Sequence, residues 1–260
     1  MAVAEVEARL VRAEIRDDVA YLTLDRPPLN VLSIAMMRQL IAALDQAASQ
    51  PSLRAVALFG AGKTFCVGAD IGEHQGATLR PLLDAFHEVV LRLFQCPVPV
   101  VAGVHGHALG GGCELAIAAD IVVITEDATI GVPEISLGVL PPAASVLLPR
   151  LIGAHRALEL ILGGEPVSGA EAVRLGLANR AVPPEELEAA VELVLNRFRA
   201  LSGAALRRAR RAVIQSMSLP VETALERLEE LQLEEIIPSP DAQEGLSAFL
   251  EKRTPVWRHK

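Results

Sequence analysis

The sequence predicts an α/β fold that ends in a helical region, and three observations support this prediction. Short β-favouring runs alternate with helix-forming segments through the first half of the chain. From Pro141 onward nearly every segment is helix-forming, and near residue 200 the composition shifts to helices rich in Glu and Arg with apolar stripes. We therefore expect an α/β core over residues 1–200 and a C-terminal helical region over 201–260 that packs against another subunit.

The elements of the first half follow from β-propensity, apolar spacing and punctuation by glycine and proline. Asp17 and Asp18 separate two short strands and predict a hairpin, and Ser33 is a suitable N-cap for the first helix. The strands are expected at 10–16, 19–24, 54–59, 98–104 and 121–125, and the helices at 33–50, 78–95 and 110–120. Because strand–helix–strand units make right-handed crossovers, most of these strands should be parallel.

The second half carries clear helix boundaries. Ser168 followed by Glu171 fits a capping box, and Gly176 ends the helix that begins there. A short extended segment and a helix opened by two prolines follow, at 177–182 and 183–201. The last helices are expected at 203–217, 220–236 and 239–252.

The amino-acid composition indicates a folded globular protein with an aliphatic core. Hydrophobic residues make up 51% of the 260 residues and charged residues 22%, which is typical of a folded globular chain. Aromatic residues are only 3% and the net charge is −8, so aliphatic side chains must fill the core and nucleic acid is not expected as a partner.

Cysteine usage and the N-terminus indicate a cytoplasmic protein. Cys66, Cys96 and Cys113 are odd in number and lack C-x-x-C spacing, so we expect reduced thiols rather than disulfides or a zinc site. Residues 1–18 lack the apolar segment of a signal peptide, and the longest apolar runs, such as 97–104, are too short to span a membrane.

Three motifs resemble functional sites but have simpler interpretations. Gly62-Lys63-Thr64 lacks the earlier glycine of a phosphate-binding loop, because that position is Ala57. His105 and His107 flank a glycine without a third ligand, which favours an ordinary turn over a metal site. The arginine run at 207–211 is interpreted as a solvated helix face, with contact to an anionic ligand as the alternative.

Two stretches, 65–71 with one glycine and 106–115 with four, each follow a predicted strand, and the second opens a helix. Glycines let a ligand approach the backbone closely, and a helix N-terminus offers unpaired N–H groups. One N–H group from each stretch could hold an oxygen that gains negative charge. The alternative is that the glycines only allow tight packing of the helix on a strand.

Two glutamates accompany these stretches. Glu114 lies in the first turn of a strongly apolar helix, and Glu134 lies in a turn after the next strands. A buried carboxylate costs free energy unless it has partners or a chemical task. Two carboxylates in one pocket should differ in proton affinity, so that one gives and the other accepts a proton. A capping or ion-pair role remains the alternative for either residue alone.

Taken together, these segments resemble the crotonase, or enoyl-CoA hydratase/isomerase, superfamily. The resemblance covers nearly the whole chain and implies a crotonase-type spiral of ββα units with a C-terminal helical trimerisation region. Its six blocks lie in the family's order at 24–32, 65–71, 97–121, 131–141, 170–183 and 241–253.

The resemblance assigns roles by position. It places the two oxyanion-hole amides on Ala69 and Gly111 and the two catalytic glutamates of hydratases on Glu114 and Glu134. It also implies that the C-terminal helices build a trimer or a dimer of trimers, and that no cofactor or metal is needed beyond the coenzyme A carried by the substrate. The further residues expected to contact the substrate are Cys66, Gly68, Asp70, Ile71, Gly110, Phe249 and Lys252.

The segment after Glu134 departs from many hydratases. Where those have a Pro-Gly-Ala-Gly-Gly segment, this chain has Pro-Pro-Ala-Ala-Ser at 141–145, which is most similar to hydratases of cyclic dienoyl-CoA in anaerobic degradation of aromatic acids. His105 is a second departure, because relatives commonly have Asn there. The expected reaction is reversible hydration of an enoyl-CoA or of cyclohexa-1,5-diene-1-carbonyl-CoA. The alternatives are general short-chain hydration, enoyl-CoA isomerisation, and a non-catalytic acyl-CoA-binding protein.

Overall fold

The computed structural model describes residues 8–260 and contains a larger and a smaller β-sheet with ten α-helices in the described part. The strands are β1 Val11–Arg16, β2 Val19–Leu24, β3 Ala55–Gly60, β4 Val100–Val104, β5 His107–Leu109, β6 Ile121–Thr125, β7 Thr129–Gly131, β8 Val167–Ser168 and β9 Arg180–Val182. The helices are α1 Ile34–Ala48, α2 Leu79–Gln95, α3 Gly111–Ile117, α4 Pro142–Ile152, α5 Ala154–Gly163, α6 Gly169–Leu175, α7 Leu187–Arg199, α8 Gly203–Ser216, α9 Val221–Leu231 and α10 Pro240–Glu251.

The larger sheet has the order β1-β2-β3-β4-β6-β9. Only β1 and β2 are antiparallel, and the other neighbours are parallel, as expected for strands linked through helices. The hairpin turn at Asp17 and Asp18 is also confirmed, because both residues adopt positive φ angles of 49° and 60°. Such a turn matches the right-handed twist of the flanking strands.

The smaller sheet, of order β5-β7-β8, was not expected from the sequence. Its strands are two or three residues long, too short for an alternating apolar pattern to be recognised. Single bridges join Cys66 to Ala108 and Leu32 to Ala69, so the loop after β3 is fastened to β5 and to the segment before α1. The bridge between Cys66 and Ala108 brings the stretches 65–71 and 106–115 together.

The core lies on both faces of the larger sheet and is almost entirely aliphatic. One face packs against α1, α2 and α3, and the other is covered by α7 through Leu187, Val191 and Leu195. Every residue of β4 is buried, as expected for a central parallel strand. Phe65 and Phe86 are the aromatic side chains buried within the described residues.

Most predicted helix boundaries are confirmed to within a few residues. The Ser33 hydroxyl accepts a hydrogen bond from the Met36 amide at 3.3 Å, and the Ser168 hydroxyl accepts one from the Glu171 amide at 3.2 Å. Gly176 ends α6 with a φ of 90°. The helix expected over 110–120 is shorter, because Gly110 is its N-cap and α3 ends at Ile117.

The C-terminal helices α8, α9 and α10 are all present, with a π-helical turn, Gln232–Ile236, after α9. A loop between Arg199 and Gly203 separates them from α7. The division of the chain at residue 200 stays a prediction. Within residues 8–260, none of the helices has the length and apolarity needed to cross a lipid bilayer.

Candidate active site

The segment 65–71 begins the site and is held in place by buried contacts. Phe65 is fully buried and anchors the loop in the core. The side-chain amide of the buried Asn30 donates to the carbonyl oxygens of Ala61 at 2.9 Å and Thr64 at 2.8 Å. Asn30 was not selected from the sequence, since an isolated asparagine after a proline-rich turn carries no specific signal.

The amides of Ala69 and Gly111 lie side by side. The carbonyl oxygen of Gly68 accepts from the Leu32 amide, and the Asp70 amide donates to Leu32, both at 2.9 Å, so the Ala69 N–H between them points away from this pairing. A Cβ atom added to Gly111 would lie 3.3 Å from the Ala69 nitrogen. Within residues 8–260 neither amide donates to a protein acceptor. Two amides without a protein acceptor among these residues therefore lie next to each other.

Glycine is required where α3 approaches this segment. A Cβ atom on Gly112 would lie 2.1 Å from the carbonyl oxygen of Cys66, closer than any real contact. Gly110 has a φ of 53°, and a Cβ atom there would lie 2.6 Å from Oε1 of Glu134. Gly112 thus provides the tight packing that the sequence offered as the alternative, and Gly110 also lets a carboxylate approach the main chain closely. The approach of a ligand to this backbone stays a prediction.

Glu114 lies on α3 with only 3% of its surface exposed. Its Oε1 accepts a hydrogen bond of 2.7 Å from the Ala144 amide in the first turn of α4. Burial raises the pKa of Glu114 to about 7, and the nearby charge of Glu134 adds to this. The amides of Ala144 and Ala143 oppose the increase, because they stabilise the carboxylate.

Glu134 lies on the 3₁₀ turn Pro133–Leu137, directly after β7. Its Oε1 lies against Gly110, and within the described residues its buried Oε2 has no hydrogen-bond partner. Burial raises the pKa of this carboxyl as well. Since Gly110 also accepts the Glu114 amide at 2.9 Å, the two glutamates flank the start of α3. The structure thus brings together both predicted amides and both predicted carboxylates.

A sequence model of the family described as enoyl-CoA hydratase/isomerase matches residues 14–260. The chain belongs to this family. A cyclohexa-1,5-dienecarbonyl-CoA hydratase from Thauera aromatica is 39% identical over 240 residues, which cover 92% of each chain. A probable enoyl-CoA hydratase from Bacillus subtilis is 37% identical over 248 residues, covering 92% of this chain and 95% of the relative.

Solved structures agree with this membership. An enoyl-CoA hydratase from Mycobacterium smegmatis superposes with a TM-score of 0.92 at 34% identity, covering 96% of this chain and 99% of that chain. The expected crotonase fold with C-terminal helices is therefore confirmed. The chain is an enzyme of the enoyl-CoA hydratase type, which is a hydro-lyase.

Three other residues predicted to contact the substrate, Cys66, Asp70 and Ile71, differ in burial and in their hydrogen-bond partners. The Cys66 thiol is fully buried, and burial raises its pKa to about 12. What Cys66 contributes is its carbonyl oxygen, which accepts the Leu109 amide at 3.0 Å. The Asp70 carboxylate pairs with Arg26 at 3.0 Å, so it shapes the loop, whereas Ile71 is exposed at its edge.

Phe249 and Lys252 lie on and just after α10, which packs on α8. The Phe249 side chain is 83% exposed. Lys252 ends the helix with a φ of 55°. Their contact with substrate was expected across a subunit boundary, and it stays a prediction.

His105 and His107 each lie within hydrogen-bond distance of a neighbouring protein oxygen. A ring nitrogen of His105, Nε2, lies 3.1 Å from the Gly62 carbonyl oxygen, and Nδ1 of His107 lies 2.6 Å from the Thr129 hydroxyl. Among the residues that the structure describes, no group of His, Cys, Asp and Glu side chains is arranged to hold a metal ion. His105 thus fastens the loop after β3 to the segment after β4.

Proposed function

We propose that this enzyme adds water reversibly to a carbon–carbon double bond conjugated with a coenzyme A thioester. The observation that carries the proposal is the convergence of two free amides, of Ala69 and Gly111, with two carboxyls of raised pKa at the start of α3. The amides would hold the thioester oxygen, and the carboxyls would hold the attacking water.

The amides act on the charge that develops during the reaction. As water adds to the alkene, electrons move onto the thioester oxygen and an enolate forms. The N–H groups of Ala69 and Gly111 are already fixed by the surrounding pairing, so they stabilise this oxygen without reorganising. One such donor contributes about 3–4 kcal/mol in other oxyanion holes.

The hydrogen bonds of the two carboxyls support a division of labour. The Ala144 amide stabilises the ionised form of Glu114 against the burial that raises its pKa to about 7, so near neutral pH Glu114 can take the proton from water. Burial also raises the pKa of Glu134, whose buried Oε2 has no partner among the described residues, and we assign to it the delivery of a proton to the α-carbon. After one turnover Glu114 holds a proton and Glu134 has lost one, and exchange with solvent restores the pair.

For the substrate, we propose cyclohexa-1,5-diene-1-carbonyl-CoA. The oxygen of water adds to the ring carbon β to the thioester, and the second double bond lets the resulting dienolate take its proton at the far end of the diene instead of at the α-carbon. The 39% identical relative from Thauera aromatica supports this choice, as does the segment at 141–145. The proposal places the enzyme in the degradation of aromatic acids. A linear enoyl-CoA is the alternative substrate, favoured by the 37% identical relative from Bacillus subtilis.

The same proposal includes the setting of the enzyme. It works in the cytoplasm as a homotrimer or a dimer of trimers, in which Phe249 and Lys252 approach the coenzyme A bound to a neighbouring subunit. Addition of water forms one C–O and one C–H bond without a net oxidation or reduction, so we propose no redox cofactor, and we propose no metal. Neither nucleic acid nor a membrane is proposed as a partner.

The deciding experiment compares Glu134→Gln with the wild type on crotonyl-CoA and cyclohexa-1,5-diene-1-carbonyl-CoA. We expect kcat to fall at least about a hundredfold, the usual contribution of a general acid. Glu126→Gln, at an exposed glutamate just after β6, is the matched control and should keep full activity. Hydration at the wild-type rate by Glu134→Gln would refute the two-carboxylate mechanism.

A second variant tests the oxyanion hole. Gly111→Pro removes one N–H donor. Turnover should be lost in a protein that still folds, as circular dichroism can check, and full activity would contradict the role of this amide. Incubation in H₂¹⁸O separates hydration from isomerisation, because only hydration incorporates the label.

A further inference from the structure

A basic groove lies between α8, the end of α2 and the C-terminus. It consists of two adjoining cavities of about 660 Å³ and about 560 Å³, which share Pro97, Arg207 and Lys260. Pro97 precedes β4, whereas the oxyanion segment follows β4. The groove and the oxyanion segment therefore lie toward opposite ends of this five-residue strand.

Several cations of the groove already have partners. Arg210 pairs with Asp120 at 2.7 Å and donates to the Leu93 carbonyl oxygen at 2.8 Å, which fastens α8 to the end of α2. Arg211 pairs with Glu235 at 2.8 Å. These two arginines from the run at 207–211 have structural roles.

Some other cationic side chains of the groove are not paired with a carboxylate among the described residues. Within residues 8–260, the side chains of Arg208 and Lys260 take part in neither an ion pair nor a hydrogen bond. Arg207 donates only to the carbonyl oxygens of Leu53 and His259. Burial lowers the pKa of Arg207, and the charges of Arg54 and Arg208 lower it further. In a chain of net charge −8, this is a local excess of positive charge that a bound anion would relieve.

The groove also has an apolar wall, formed by Phe94, Pro97, Ala204 and Ile214. Its volume lies in the range of sites for small organic ligands and is far larger than a single phosphate ion requires. Arginine binds phosphate oxygens through paired N–H donors. An apolar wall beside such donors suits a ligand that carries both an aromatic ring and phosphate groups.

We propose that this groove binds an ADP moiety, with the phosphates at Arg207, Arg208 and Lys260 and the ring against the apolar wall. This site lies apart from the thioester site, and its affinity for ADP can be measured without hydration activity. The moiety could come from a free nucleotide or from the nucleotide end of a coenzyme A molecule, and the two sources give different kinetic results.

The test is calorimetric titration of the full-length protein with ADP at low salt. Arg208→Glu and Lys260→Glu should each weaken binding at least about tenfold, because each replaces a phosphate partner by a like charge. Arg38→Glu, at an exposed arginine on α1 outside the groove, is the matched control and should bind as the wild type does. Lys260 is the exposed last residue, so this variant should fold even if Arg208→Glu does not.

The proposal is overturned if the wild type binds no ADP at millimolar concentration, or if both groove variants bind it as tightly as the wild type. If binding weakens as expected, the KM for an enoyl-CoA identifies the source. An unchanged KM in both variants indicates a free nucleotide, and a KM that rises by the same factor as the Kd for ADP indicates the coenzyme A end. Calorimetry measures ADP binding without turnover. The proposed ADP site and the proposed hydration activity can therefore be refuted independently of each other.

Discussion

At the scale of single residues, the ionised form of Glu114 costs stability. The carboxyl is buried beside a second carboxyl, and the single strong hydrogen bond from Ala144 offsets only part of the loss of solvation. A residue selected only for stability would not carry this charge. Its pKa near neutrality is the property that a group exchanging protons at neutral pH requires.

The first prediction follows from this cost. Folding raises the pKa of Glu114 from 4.5 to about 7, so between these pH values the folded state binds more protons than the unfolded state. Stability therefore falls as pH rises through this window and stays lower above it. Glu114→Gln removes the titration and should be more stable than the wild type at pH 8, by roughly 1–3 kcal/mol, with little difference below pH 4.5.

Thermal unfolding of both proteins across this pH range is the measurement. The difference in Tm should open between pH 4.5 and 7. A constant difference at every pH would mean that Glu114 keeps an ordinary pKa in the folded protein.

At the scale of secondary structure elements, the first turn of α4 holds a side chain of α3. Pro142 opens α4 and has no N–H group to donate. The next amides, of Ala143 and Ala144, both stabilise the Glu114 carboxylate. The contact between these helices is thus chemical as well as structural, since it sets the proton affinity of the proposed base.

The second prediction concerns this amide. Ala144→Pro removes the N–H group that donates to Glu114, and its loss should raise the pKa of Glu114 by roughly one to two units. The acidic limb of the pH profile of kcat/KM should move to higher pH by the same amount. Ala144→Ser keeps the N–H group and is the control. If the acidic limb of the kcat/KM profile lies at the wild-type pH in both variants, Glu114 is not the group that must be ionised for catalysis.

The third prediction concerns the packing of α3 on the segment 65–71. Gly112→Ala forces a Cβ atom against the Cys66 carbonyl oxygen, which is main chain and has no room to move aside. We expect a loss of at least about 2 kcal/mol of stability, together with lost activity, since α3 carries half of the site. Gly163→Ala, at the end of α5, meets no atom within 4 Å and should leave Tm equal or slightly higher. Equal Tm values for the two variants would contradict this account.

At the scale of the whole molecule, apolar side chains without cover concentrate on the C-terminal helices. Phe249 and Leu250 on α10 are 83% and 80% exposed, and Val221 on α9 is 70% exposed. Exposed apolar side chains grouped on a few helices are typical of an interface. It accords with the proposal that this region builds the oligomer.

The fourth prediction tests that proposal. Leu250→Glu places a charge in the exposed apolar surface of α10 and should shift the protein to the mass of a single chain in light scattering. Ile15→Glu, at an exposed residue of β1, is the control and should leave the mass unchanged. A wild-type mass for Leu250→Glu would place the subunit contact elsewhere.

Helices with a recognisable N-cap were predictable from the sequence, and strands of two or three residues were not. The helices capped by Ser33 and Ser168 follow from local signals that work within one turn. Strands β5, β7 and β8 have no such local signal, because two or three residues pair only when distant segments are already in place. Asn30 belongs to the same class, since its role depends on carbonyl groups more than thirty positions away.

The sequence by itself determined the α/β architecture, the helical C-terminal region, and the residue types at the candidate site, because these depend on periodicity, capping and a specific set of motifs. Only the tertiary structure decided that the Ala69 and Gly111 amides are both free and adjacent, and that Ala144 holds Glu114 while Oε2 of Glu134 has no partner in the described part of the chain. Hydrogen-bond partners and proton affinities depend on burial and on distances between segments far apart in the chain, which local sequence does not encode.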